Sequence, residues 1–155
     1  GATPFFLAAR TADIDLMRLL KDLGADPLIA TDLHTTPLLA AGGVGGALPA
    51  EVPGTEAEVL QTLKLLLDLG ADINAIDDRG NSAMHGAAYK HLAKVATYLS
   101  ERGARPEVWN NQNANGHTPL DIAAGIQRGM NFVFSMDTEA AIRAALGQGA
   151  GVAQR

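Results

Sequence analysis

A chain of 155 residues fits one domain with room for a sizeable core, and its 47% apolar but only 5% aromatic composition suits thin helices that approach closely. The absence of cysteine excludes disulfides and thiol chemistry, and the net charge of −5 argues against the broad positive footprint that nucleic acid requires. The longest uncharged apolar stretch, 35–50, holds four glycines and two prolines and is shorter than a membrane span.

In chain order, Thr3-Pro4 reads as a cap followed by proline at the first helical position. An outer helix then carries Leu16, Met17, Leu19 and Leu20. Phe5 and Phe6 sit close to the chain start without an opening turn, so further structure is expected before Gly1. His34 stands at a turn, and histidine tolerates positive φ only modestly. A helix from Thr36-Pro37 runs into Gly-Gly-Val-Gly-Gly at 42–46. This is not a phosphate loop, because no Gly-Lys-Ser/Thr follows and no strand precedes it. Thr55 and Glu58 form a capping box, which starts a long helix near Glu56 that ends at Leu69. Its extra turn is expected to pack on the inserted loop.

Asp77-Asp78-Arg79-Gly80 is turn chemistry, with Gly80 free to adopt positive φ. Ser82 caps a short helix whose small face is Met84, Ala87 and Ala88. Val95, Ala96, Tyr98 and Leu99 mark the next helix, and Gly103-Ala104 stops it. The amide-rich run 110–115 lengthens the following turn. Thr118-Pro119 opens another short helix, and a loop bearing Phe132 and Phe134 follows. The last helix is expected from Asp137 or Thr138 to Leu146, with a fraying tail.

Thr3, Thr36, Ser82 and Thr118 mark one recurrent point, at intervals of 33, 46 and 36 residues. Gly-Ala recurs at 24, 70, 103 and 149, at intervals of 46, 33 and 46. A base period of 33 with insertions of roughly 13, 3 and 10 residues accounts for both series. On the segments TPFFLAA (3–9), TPLLAAG (36–42), SAMHGAA (82–88) and TPLDIAA (118–124), the chain resembles the ankyrin repeat, in a bacterial-type form with long insertions in two repeats.

The resemblance covers nearly the whole chain. It implies an all-α ankyrin-repeat solenoid of helix-turn-helix units with β-turn or hairpin fingers, forming a single domain over 1–155. The repeats fall at 1–31, 32–76 with insertion 43–55, 77–109, and 110–150 with insertions 112–114 and 126–136.

Chemistry is sparse. The resemblance gives His85 a structural hydrogen bond to its turn. His91 lies six residues on, not at the i, i+4 spacing of a helical zinc pair. His34 and His117 lack an accompanying carboxylate or cysteine cluster. There is neither a nucleophile elbow nor a His-Glu-x-x-His motif. No catalytic residue, cofactor or metal is therefore expected. Charge is more informative: residues 1–78 carry −8, whereas 79–105 carry +4 through Arg79, Lys90, Lys94, Arg102 and Arg105 against Glu101. The bland account is solvated helix faces. The sharper one is a basic band that selects an acidic or dipolar protein surface.

The concave face implied by the resemblance holds Asp32, Leu33 and Thr35 in the second repeat. In the third it holds Asp78, Arg79, Asn81, Tyr89 and Lys90, with Arg102 further along. In the fourth it holds Asn111, Asn113, Asn115 and His117. Trp109 reads equally as packing under the finger or as a partner anchor. The expected function is non-enzymatic protein binding, with no nucleic acid and no membrane insertion. The alternatives are a ligand or catalytic site between the inserted loops, lined by Met130, Phe132, Phe134 and Met136, or a structural segment of a larger protein. Those four residues could instead seal the end of the stack.

Overall fold

The computed structural model describes residues 1–45, 54–125 and 134–152. Among these residues all regular structure is helical. The elements are α1 (Pro4–Arg10), α2 (Ile14–Asp22), α3 (Pro37–Ala41), α4 (Glu56–Asp68), α5 (Ala83–Tyr89), α6 (Ala93–Glu101), α7 (Pro106–Trp109), α8 (Pro119–Ala123) and α9 (Met136–Val152).

The recurrent Thr/Ser positions are helix caps. The hydroxyls of Thr3, Thr36 and Thr118 accept the N–H three residues on, at 3.1, 3.2 and 3.2 Å, and Ser82 does the same at 3.4 Å. Each satisfies an amide that the first helical turn leaves orphaned. Proline follows three of them, where its missing N–H costs nothing.

The capped helices α1, α3, α5 and α8 form an inner row, each packing on the next. The outer row is α2, α4, α6 and α9, while α7 is tucked against α5 and α9. A single apolar cluster runs between the rows from Phe5 to Ala145. Met84, Val95 and Leu99 lie inside it, as the periodicity predicts. Much of the cluster is alanine, which lets short helices approach closely.

One approach is closer still. A Cβ on Gly86 would lie 2.5 Å from the Gly42 carbonyl oxygen, and one on Gly43 would lie 2.7 Å from the Gly86 oxygen. The turn after α3 therefore rests on the α5 backbone, which only glycine permits.

Several expectations need correction. Phe5 and Phe6 are buried rather than presented at a free end, whereas Leu16, Leu19 and Leu23 are exposed. They form an i, i+3, i+7 stripe that points away from the contacts of α2 with α1 and α4, and in α2 only Met17 is fully buried. Helix α9 begins one residue early, because Ser135 Oγ accepts the Thr138 N–H at 3.3 Å. It continues past Leu146 to Val152. The capping box at Thr55 and Glu58 and the long α4 are as expected. The loop expected against its first turn, 46–53, lies outside the described residues. So do Met130 and Phe132, whereas Phe134 and Met136 are 62% and 72% exposed.

Candidate protein-binding surface

Three fingers project from the inner row, and hydrogen bonds set their register. In each, one residue donates its N–H to the carbonyl four residues on: Thr31 to Thr35, Asp77 to Asn81 and Asn113 to His117, all at 3.0 Å. The fourth residue closes a tight turn at positive φ, and here His34 (55°), Gly80 (76°) and Gly116 (79°) are equivalent. His34 occupies this left-handed position with its Nδ1 2.8 Å from Asp78 Oδ1 on the next finger.

This register makes Leu33, Arg79 and Asn115 equivalent tip positions. It also puts the extra residues of the fourth repeat before Asn113, in the segment that holds α7. Asn111 is therefore not at a tip. Its amide donates to the Glu107 and Val108 carbonyls, at 3.0 and 2.9 Å, closing the end of α7.

Side chains brace the fingers from within. Asp77 is buried, and its Oδ1 accepts the N–H groups of Arg79 and Asn81 at 3.0 and 2.8 Å. Asn113 repeats the pattern with the N–H groups of Asn115 and His117. Asn113 Nδ2 also donates to Asn81 Oδ1 at 2.9 Å, and Thr35 Oγ1 reaches Asp77 Oδ2 at 3.5 Å. Between fingers the backbone itself is bonded: Asp78 N–H donates to the Leu33 carbonyl at 3.0 Å and Ala114 N–H to that of Arg79 at 2.7 Å.

His85 supports this from below. Ser82 N–H donates to its Nδ1 at 3.2 Å, so the proton sits on Nε2, which donates to the Asn111 carbonyl at 3.0 Å. Burial pushes its pKa down, against weaker opposing pulls from the Asn111 and His117 carbonyls and the Asp77 charge. This is the structural bond expected of it.

The second and third fingers, with α5, enclose a groove of about 550 Å³. Arg79, Asn81, Tyr89, Asn113, Asn115 and His117 line it. The sequence reading missed Gly43, Val44 and Gly45, which form another wall, and Ile122 of α8. No local signal marks them, because the contact of Gly42-Gly43 with Gly86 joins residues more than forty positions apart.

Asp32, Leu33 and Asp78 are exposed on the first and second fingers but do not line the groove, and Thr35 is half-buried. The carboxylate of Asp32 is 2.9 Å from the Gly1 nitrogen.

Two residues do not belong to this surface. Lys90 is only 5% exposed; its stem packs where Gly43 leaves room, and its Nζ lies 5.6 Å from the Tyr89 ring centroid. Arg102 ends the outer helix α6, where it donates to the Tyr98 hydroxyl at 2.9 Å and stacks on that ring at 5.5 Å. The basic band is thus dispersed, and of its five described residues only Arg79 lines the groove. Trp109 is buried, with Nε1 donating to the Ala104 carbonyl at 3.3 Å, so it packs under the finger.

Among the described residues no cluster of three or more His, Cys, Asp or Glu could hold a metal ion, and no helix is long and apolar enough to cross a membrane.

Comparison with known proteins gives the same architecture. Residues 64–123 match the family model described as ankyrin repeats (many copies), and residues 1–32 match that of the single ankyrin repeat. The chain belongs to the ankyrin-repeat family, whose repeats bind other proteins.

Among its relatives, neurogenic locus notch homolog protein 1 of Homo sapiens is 32% identical over 144 residues, covering 79% of this chain. Ankyrin repeat and SOCS box protein 16 of Mus musculus is 31% identical over 121 residues, covering 78%. Ankyrin repeat, SAM and basic leucine zipper domain-containing protein 1 of Ornithorhynchus anatinus is 36% identical over 97 residues, covering 62%. The match spans only 6%, 25% and 19% of these relatives' own lengths, respectively.

Proposed function

We propose that this chain is a non-enzymatic recognition module that seats a protein partner in the groove between its second and third fingers. The observation that carries this reading is the convergence of Arg79, Tyr89, Asn115 and His117 on one concavity, from two fingers and an inner helix. Their backbones are fixed by bonds within and between fingers, so little ordering entropy is lost when a partner arrives. An amphipathic ring beside an exposed guanidinium is the composition of interface anchors.

The test is quantitative affinity capture from the source lysate with the wild-type chain and with the Arg79→Ala and Asn115→Ala variants. Neither side chain packs in the core, so both variants should melt with the wild type. A specific partner should be retained about tenfold less by at least Arg79→Ala, as expected for a central anchor. Equal retention by all three folded chains would reject this surface.

A further inference from the structure

The chemistry of the groove is one-sided. The chain has 17 acidic residues, yet among the described residues none lines the groove, whereas Arg79, His85 and His117 do. The nearby carboxylates are engaged elsewhere: Asp77 holds the amides of its own finger, and Asp78 meets His34.

The polar lining also divides by use. Asn81 and Asn113 serve the internal bracing, and His85 is held between Ser82 and Asn111. The Arg79 guanidinium, the Asn115 amide, the His117 ring and the Tyr89 hydroxyl make no hydrogen bond or ion pair with other described residues. Arg79 is exposed at a tip whose backbone is bonded on both sides, its N–H to Asp77 and its carbonyl to the Ala114 N–H. Its backbone is thus held by bonds that do not use the guanidinium. That planar fork matches a carboxylate in bidentate fashion, and an amide, an imidazole and a hydroxyl beside it can donate to the same anion or to flanking carbonyls. Residues 1–78, at −8, disfavour an acidic segment elsewhere, so a groove with no acidic side chain among its described lining residues is a selective address for it.

Resting on the reading of this groove as the protein-binding surface, we infer that its occupant is an acidic segment of a partner protein, with an Asp or Glu carboxylate paired to Arg79 beside Asn115 and His117. Selection of a random peptide library displayed on phage against the full chain and against Arg79→Gln tests this. The wild-type pool should be enriched in Asp and Glu about fivefold over the Arg79→Gln pool, and its binding should weaken between about 50 and 200 mM salt. Synthetic peptides from the wild-type pool should shift the amide resonances of Asn115 and His117.

A pool without acidic bias, or a bias that persists in Arg79→Gln, overturns the acidic partner; shifts at Asn115 and His117 would then still uphold the groove as the binding surface. Peptides that shift neither residue overturn both readings. Self-association of the chain that Arg79→Gln abolishes would assign the groove to the chain's own acidic half and overturn the foreign partner.

Discussion

Glu56 caps a helix to which it does not belong: its Oε1 accepts the backbone N–H of Lys94 at 2.7 Å and that of Val95 at 3.3 Å. Helix α6 opens at Leu92, which has no side chain able to satisfy those amides. The extra first turn of α4 delivers the carboxylate from the preceding repeat, placing an anion at the positive end of α6. Glu56→Ala should cost about 1 kcal/mol, as loss of a cap does, and lower the thermal midpoint by roughly 2–4 °C. Hydrogen exchange should quicken at Lys94 and Val95. An unchanged midpoint would mean that water serves those amides equally well.

The contact of Gly86 with Gly42 sets a second expectation. Methyl groups are tolerated along α5 wherever they meet side chains, but at position 86 an added carbon meets backbone at 2.5 and 2.8 Å, and backbone cannot rotate away. Gly86→Ala should destabilise by about 2–3 kcal/mol through overpacking. Gly147→Ala, whose new methyl group meets nothing within 4 Å, should stabilise α9 by at most about 1 kcal/mol. Urea denaturation of both variants checks the opposed signs.

Thr62 lies fully buried in α4 with a hydroxyl that finds no partner among the described residues. Thr62→Val keeps the branched shape and removes the unsatisfied group. It should raise stability by about 1 kcal/mol, read from the urea midpoint at unchanged slope. A lower midpoint would show that the hydroxyl is satisfied in solution.

Acid sensitivity should begin with His85. Burial lowers its pKa in the folded chain, so the unfolded chain takes up the proton first as pH falls. Stability should be level above about pH 7, then decline through about pH 6.5 toward the lower folded value, at up to about 1.4 kcal/mol per pH unit. Glu58, whose pKa is lowered by hydrogen bonds from the Thr55 N–H and hydroxyl, adds a further loss below about pH 4.5. Urea midpoints across this range, with nitrogen-detected titration of the His85 ring, check both. A ring that titrates at or above the ordinary value with the fold intact would contradict the first.

Local chemistry was legible in the sequence. Thr3-Pro4, Thr36-Pro37 and Thr118-Pro119 announce helix starts because a cap and a proline act within four residues. The role of His85 came only from the family resemblance, since its bond to Asn111 spans 26 positions. What escaped depends on neighbours far along the chain. Lys90 is a surface residue by composition, and it is buried because Gly43, some 47 positions earlier, leaves room for its stem. Asn111 and Asn113 are alike in sequence, and the bond of Asn113 to Asn81, 32 positions earlier, helps to show which one heads the finger. The leucine stripe of α2 reads as core by period, but nothing among the described residues covers it.

The bonds from Asp78 to Leu33 and from Ala114 to Arg79 join neighbouring fingers through main chain alone. The pitch of the row is consequently indifferent to what the tips carry: leucine, arginine and asparagine all ride at one spacing. Such a surface can be re-lettered at positions 33, 79 and 115 without being rebuilt, so its selectivity can drift while its architecture stays put.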